Sequence, residues 1–285
     1  MRILSDFDGV WTDQRGEAAA IRAAFVREAA ALMGVDEVHA AEEFRGFHQR
    51  TLEDPASHGW WPRGYLSAFV DEDELLATGA VGRWLDHHAD LPGAERWLSA
   101  LRAGGYERAE DLVNESFGPA MRAYRDEGEH RLVPEARDVA LGLAGRGIEL
   151  VIVSNSPAEK LRSMFAAEGL EEGPLLRLVG DARKWWIEGP EPRRTFNGRE
   201  VHLDRPRYRE ILGREQPDVV IGDVASLDLA TPASMRASGE LGDGLRLLLK
   251  GHEKASPWAT SQVDLAPEAR LVDEVAPSIS ALLAL

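Results

Sequence analysis

Short, mostly apolar runs recur along this chain at residues 2–5, 148–153, 175–179, 219–221, 245–249 and 270–272. Each is apolar throughout rather than alternating, the pattern of parallel strands buried on both faces. Amphipathic stretches at 134–146, 158–168, 206–212 and 227–238 lie between them. Strands alternating with helices predict an α/β fold, a doubly wound, Rossmann-like parallel sheet with right-handed crossovers.

Two segments break the alternation. Residues 14–130 are almost purely helical in pattern, with Ala-rich amphipathic stretches at 17–33, 72–88, 94–101 and 107–125. They interrupt the sheet between its first and second strands, so the expectation is an all-helical domain (14–130) inserted into a core made of 1–13 and 131–285. The second segment is 181–203. Here 184–187 and 200–203 flank a Pro-rich stretch and the turn dipeptide Asn197-Gly198, which predicts a β-hairpin flap.

The first apolar run ends in Asp6-Phe7-Asp8-Gly9-Val10-Trp11-Thr12-Asp13. Two carboxylates two residues apart, just past a strand and followed by glycine, lie at the sheet edge where open α/β sheets bind ligands. The second run leads into Ser154-Asn155-Ser156-Pro157 and a helix, where a hydroxyl and exposed helix amides suit a phosphate. The run at 219–221 delivers Gly222-Asp223-Val224-Ala225-Ser226-Leu227-Asp228 to the same edge. Carboxylates converging in this way suit Mg²⁺, a hard cation that takes oxygen ligands and keeps several waters.

Charge sharpens that picture. The 285 residues include 49 acidic and 33 basic side chains, a formal net charge of −16. A field of that sign repels nucleic acid and anionic membranes, so neither is expected as a partner. It also repels phosphorylated metabolites, so a site for them needs a local cation. No cysteine is present, which excludes disulfides and thiolate metal sites. The longest apolar runs are too short to span a bilayer, and Met1-Arg2-Ile3-Leu4 opens without a signal-peptide core; a cytoplasmic protein is expected. A P-loop, a G-x-G-x-x-G after the first strand and a G-x-S-x-G elbow are all missing.

Taken together, these segments resemble the haloacid dehalogenase (HAD) superfamily: D-x-D-G-V-x-T-D at Asp6–Asp13, the strand ending in Ser154, and G-D-x-x-x-x-D at Gly222–Asp228. The resemblance covers roughly residues 1–13 and 134–285, with the helical block where many members carry a cap. It implies an aspartyl-phosphate mechanism, with Asp6 as nucleophile and Asp8 as general acid and base. It further implies Mg²⁺ held by Asp6, the Asp8 carbonyl and Asp223, with Asp228 at the metal site orienting a bound water or standing behind the ion. Ser154, Gly9 and the Asn155 amide are expected at the phosphoryl group. Asp13 is expected to be structural.

The family's third motif, a lysine beside the nucleophile, has no direct match. Where a Lys-Pro is usual, this chain has Arg205-Pro206, so Arg205 is the first candidate, Lys184 the second and Lys160 the third. Family members that dehalogenate lack an acid at the position of Asp8. Its retention favours a small phosphate monoester as substrate, with a phosphomutase of the same superfamily or a non-catalytic HAD-like binding protein as alternatives. The segment 58–65, with Trp60, Trp61 and Arg63, is a candidate substrate-facing loop. It is equally readable as core of the inserted domain, and Trp185-Trp186 pose the same choice. His87 and His88 point about 100° apart on a helix and are expected at the surface.

Overall fold

The structure is a computed structural model that describes residues 1–126, 131–252 and 255–285. In chain order, β1 (Arg2–Ser5) is followed by α1 (Arg15–Met33), α2 (Glu37–Glu53), β2 (Gly59–Trp60), β3 (Ala68–Phe69), α3 (Ala77–His87), α4 (Pro92–Ala103) and α5 (Ala109–Asp126). Then come α6 (Ala136–Gly145), β4 (Glu149–Val153), α7 (Ala158–Ala167), β5 (Leu176–Val179), β6 (Arg193–Phe196), β7 (Arg199–His202), α8 (Pro206–Glu215) and β8 (Val219–Gly222). A π-helical turn at Ala225–Leu229 leads to α9 (Ala230–Ala237), β9 (Arg246–Lys250), α10 (Pro257–Thr260) and β10 (Glu274–Ala276).

The chain divides into two compact units, one of Met1–Asp13, Trp61–Ala68 and Arg131–Leu285, the other of Gln14–Trp60 and Phe69–His130. The helical unit corresponds to the inserted block except for Trp61–Ala68, which groups with the sheet. Its helices close around aromatic side chains: Phe25 stacks on Trp97 at 5.9 Å and Phe47 on Trp84 at 5.4 Å. Asp36 caps α2 through the amide of His39, and α1 ends at Gly34 in the left-handed conformation, as helix termini require. His87 is exposed as expected, whereas His88 lies half-buried with its ring on Trp84.

The α/β unit is built on a six-stranded sheet in the order β10-β9-β8-β1-β4-β5, parallel throughout. Ile3, Leu4, Val151, Ile152, Val220, Ile221, Leu247 and Leu248 are all buried. Consecutive buried residues along β1, β4, β8 and β9 show that both faces of the sheet are covered there, which explains the unbroken apolar runs. The chain runs from β1 outward through β4 to β5, then returns to the other side of β1 for β8. The tips of β1, β4 and β8 therefore meet at the topological switch point, where a crevice for ligands forms.

Two elements differ from expectation. The last strand is 274–276 rather than 270–272: Leu271 and Val272 are buried, but the ladder starts only after Asp273, whose side chain takes the amide of Leu247 and pairs with Arg236. The hairpin is present around Asn197-Gly198, but its first arm is β6 at 193–196. Residues 184–187 lie before the prolines at 190 and 192, which cannot donate ladder hydrogen bonds, and form part of an irregular loop instead. The indole of Trp258 anchors the hairpin by donating to the Phe196 carbonyl.

Candidate active site

Strand register sets the site. Ser5 is level with Ile152 on one neighbour and Ile221 on the other, and the amide of Asp6 continues the ladder to the Ile221 carbonyl at 2.8 Å. Asp6, Ser154 and Asp223 thus leave three adjacent strands at nearly the same level. Asp6, Asp223 and Asp228 are buried and each offers a carboxylate oxygen within 4.8 Å of the others.

Two glycines permit this crowding. Gly9 has φ +80, and a Cβ there would lie 1.9 Å from Asp223 Oδ2. A Cβ on Gly222 would lie 2.3 Å from that of Asp228. Gly9, expected at the substrate, makes room for the Asp223 carboxylate; its own amide donates to Thr12 Oγ1 at 3.2 Å.

The cation beside Asp6 is Lys184. Its side chain is fully buried, and Nζ lies 2.5 Å from Asp6 Oδ1 and 2.9 Å from Asp228 Oδ1. Burial opposes its charge, but Asp228 and Asp6 outweigh that and raise its pKa. Asp6 is pushed up to about 8 by burial, opposed by Lys184 and reinforced by the charges of Asp228 and Asp8. Tyr208 completes this corner by donating its hydroxyl to the Asp228 carbonyl at 3.0 Å and lying beneath Lys184 Nζ. Nothing in the sequence singled out Tyr208; its place in the first turns of α8 is the one available signal.

Arg205, the first candidate for that cation, is also fully buried, but its guanidinium donates to Ser67 Oγ (3.2 Å), Ser67 O (2.9 Å) and Ser226 O (2.6 Å). It ties the stretch Trp61–Ala68 to the turn after β8. The Lys-Pro pattern misdirects because Pro206 starts α8 at N1 whatever residue precedes it. Lys160 reaches the site as well, on the other carboxylate. Its Nζ lies 2.9 Å from Asp8 Oδ1 and 3.1 Å from Ser156 Oγ.

Asp8 is bound on both oxygens, because Oδ2 accepts from Ser154 Oγ at 2.8 Å and Ser156 Oγ at 3.1 Å. Burial works against its ionisation, but Lys160 and the two hydroxyls outweigh it and hold the carboxyl below its ordinary range. Ser154, expected at the phosphate, is therefore engaged with Asp8 here, and Ser156 was not anticipated. The side chain of Asn155 accepts from the amide of Lys184 at 2.7 Å. Two further bonds hold the same loop, from Ala182 N to Ser154 O and from Asp181 N to Ser156 O. The tip of β4 thus clamps the segment that carries Lys184.

The donor set fits a hard divalent cation. Asp6 and Asp223 supply oxygens, and burial with two neighbouring acids disfavours ionising Asp6 unless further positive charge is supplied. Both oxygens of Asp228 are already engaged, by Lys184 and by the amide of Val224, which suits a place behind the ion rather than on it.

No protein-family model and no curated protein matches the chain. Among solved structures it is similar to a 2-haloacid dehalogenase from Pseudomonas syringae pv. tomato (19% identity, 99% of this chain and 95% of that chain, TM-score 0.43). It is likewise similar to a HAD family hydrolase from Deinococcus radiodurans with bound phosphate and sodium (18%, 99% and 92%, TM-score 0.45). A third is a HAD-hydrolase from Bacillus subtilis bound to magnesium (15%, 99% and 96%, TM-score 0.44). These are likenesses of overall fold at low identity. The fold observed here is HAD-like on its own features: a parallel sheet, a helical unit inserted after β1, and acids at the tips of β1 and β8. Among the described residues no helix is long and apolar enough to cross a membrane.

Proposed function

We propose that the chain is a phosphohydrolase that cleaves a small phosphate monoester, using Asp6 as nucleophile. One observation carries this reading: Asp6 is buried at a strand tip against Lys184, Asp223 and Asp228, with a second carboxylate, Asp8, two residues on. A binding module has no need to bury three acids within 4.8 Å of one another, since such crowding is unfavourable without a cation. Asp6, Asp223 and the main-chain carbonyl of Asp8 would hold Mg²⁺. When bound, the ion supplies charge neutralisation at the phosphoryl oxygens and keeps Asp6 ionised.

Asp6 attacks phosphorus in line and forms an aspartyl-phosphate, dividing one displacement into two. Lys184, already on Asp6 Oδ1, steadies the nucleophile and offsets charge on the transferring group. Asp8 serves the leaving group and the water. Held ionised by Lys160, it has the protonation state of the base that activates water in the second step. An arriving phosphate dianion raises its pKa by like-charge repulsion, which lets it carry the proton that the leaving alkoxide takes in the first. Ser154 and Ser156 fix the direction of that carboxylate.

The test is phosphate release from a generic aryl phosphate and a panel of phosphorylated metabolites, with Mg²⁺ or EDTA, for wild type and Asp6→Asn. Turnover that needs Mg²⁺ and disappears in Asp6→Asn supports the reading. No release from any ester with any divalent metal refutes it.

A further inference from the structure

The loop that carries Lys184 inward carries two other groups outward. Arg183 and Trp186 are closed into a turn by the bond from Trp186 N to Arg183 O at 2.9 Å. The guanidinium of Arg183 lies 5.3 Å from the centroid of the Trp186 indole. A second guanidinium, from Arg63 in Trp61–Ala68, lies 4.1 Å from the same ring. Arg63 is held there from two directions: Arg205 binds Ser67, and the ring of Tyr65 packs edge-on against His202 at 5.4 Å.

Both arginines are exposed, and among the described residues neither has an ion-pair partner. That is unusual on this unit, where Arg177, Arg209 and Arg236 each sit on a carboxylate and the chain as a whole is acidic. Two guanidiniums gathered on one indole repel each other, and the ring's face offsets only part of that. Both residues also have left-handed backbone, φ 56 at Arg63 and φ 48 at Arg183, a costly conformation for a side chain of this size. An anion held by both guanidiniums would relieve that repulsion.

We propose that Arg63 and Arg183, on the indole of Trp186, bind a second anionic group of the substrate, a carboxylate or a second phosphate carried on its leaving group. The inference rests on the phosphate-ester reading above. Arg183 adjoins Lys184 in the chain, and the Lys184 ammonium is on Asp6, so one loop serves both the acids and the paired guanidiniums. Guanidiniums suit either anion, because their fork of N–H donors matches two oxygens at once. A substrate with one anion at each end would also overcome the repulsive field of the chain locally, at both ends.

Binding of non-hydrolysable phosphonates to the Mg²⁺-loaded protein, followed by calorimetry, tests this without requiring turnover. Phosphonoacetate is compared with ethylphosphonate, propane bisphosphonate with propylphosphonate, and longer homologues of each pair are included. The expected result is a preference of roughly tenfold or more for one doubly anionic class. It should fall below about threefold in the Arg63→Gln, Arg183→Gln double variant, with affinity for the neutral-tailed phosphonate unchanged. The class that gains identifies the second anion. Equal binding within each pair, or a preference that survives the double variant, overturns the site while leaving the phosphate reading intact. Failure of every phosphonate to bind overturns both.

Discussion

Removing the charge of Lys184 should be the most damaging single substitution at this site. Lys184→Met keeps most of the volume and length of the side chain but leaves Asp6 and Asp228, both buried, without the ammonium that lies 2.5 and 2.9 Å from them. At an effective dielectric of about 20, two unit charges roughly 3 Å apart attract by ~6 kcal/mol. Desolvating the partners offsets much of that gain, and deleting one member of a buried pair costs ~3–5 kcal/mol in practice. Urea unfolding without metal, followed by tryptophan fluorescence, should show a deficit of that size. The deficit has a sign in pH. An orphaned Asp6 has its folded pKa raised beyond the value of about 8 it has beside Lys184. The native state then binds a proton that the unfolded chain releases near pH ~4. Wild type and variant both carry that proton up to about pH 8, so the stability of the variant relative to wild type should fall as pH rises above about 8. Adding Mg²⁺ should recover part of the loss, and Asp228→Asn in the same background should couple favourably by ~1–3 kcal/mol. A variant within ~0.5 kcal/mol of wild type, or a deficit flat in pH, would refute Lys184 as the counter-charge for these acids.

Gly9→Ala should displace Asp223, because the new Cβ would start 1.9 Å from its Oδ2 and the backbone has φ +80; Mg²⁺ affinity measured by calorimetry should fall at least ~10-fold. Arg205→Ala removes three buried hydrogen bonds and should destabilise by ~2–4 kcal/mol. It should also make the peptide bond after Arg63 more sensitive to trypsin in a timed digest. Glu215 is buried, which opposes its ionisation, but Arg177 and Arg214 outweigh burial and lower its pKa. Its contribution to stability is thus complete above the ordinary carboxylate pKa and is lost as pH falls through the folded value. Glu215→Gln should accordingly show a shallower decline in acid than wild type by thermal unfolding.

The sheet and its carboxylates are legible in the sequence because their causes are local. A strand buried on both faces is apolar without interruption, and Asp6 and Asp223 each follow such a run at its end. What the sequence does not carry is long-range. Lys184 lies 178 residues from Asp6 in an irregular loop, and it reaches the carboxylate only because Asn155 and the carbonyls of Ser154 and Ser156 clamp that loop. The Arg205-Pro206 pattern draws attention to the wrong cation, since Pro206 marks a helix start and says nothing about where the preceding side chain goes. Asn155 and Ser154 were expected to face the phosphate; their partners, the amide of Lys184 and the carboxylate of Asp8, become visible only when β4 lies beside β1. Residues 61–68 are similar: a helical block surrounds them in sequence, but Arg205 holds Ser67 on the α/β unit. Of the aromatics left open by the sequence, Trp186 meets Arg63 through that same link.

The central claim is that Asp6 becomes phosphorylated, and trapping tests it most directly. Once a turned-over aryl phosphate is in hand, whose phenoxide leaves without needing a proton from Asp8, an Asp8→Asn variant, which lacks the base for the second step, is mixed with it and Mg²⁺. The mixture is quenched with borohydride, which reduces an acyl phosphate to the alcohol, and peptides are mapped by mass spectrometry. The account predicts homoserine at position 6, appearing only with substrate and Mg²⁺. Reduction at another carboxylate, or wild-type turnover with no reducible protein adduct in the variant, would contradict it.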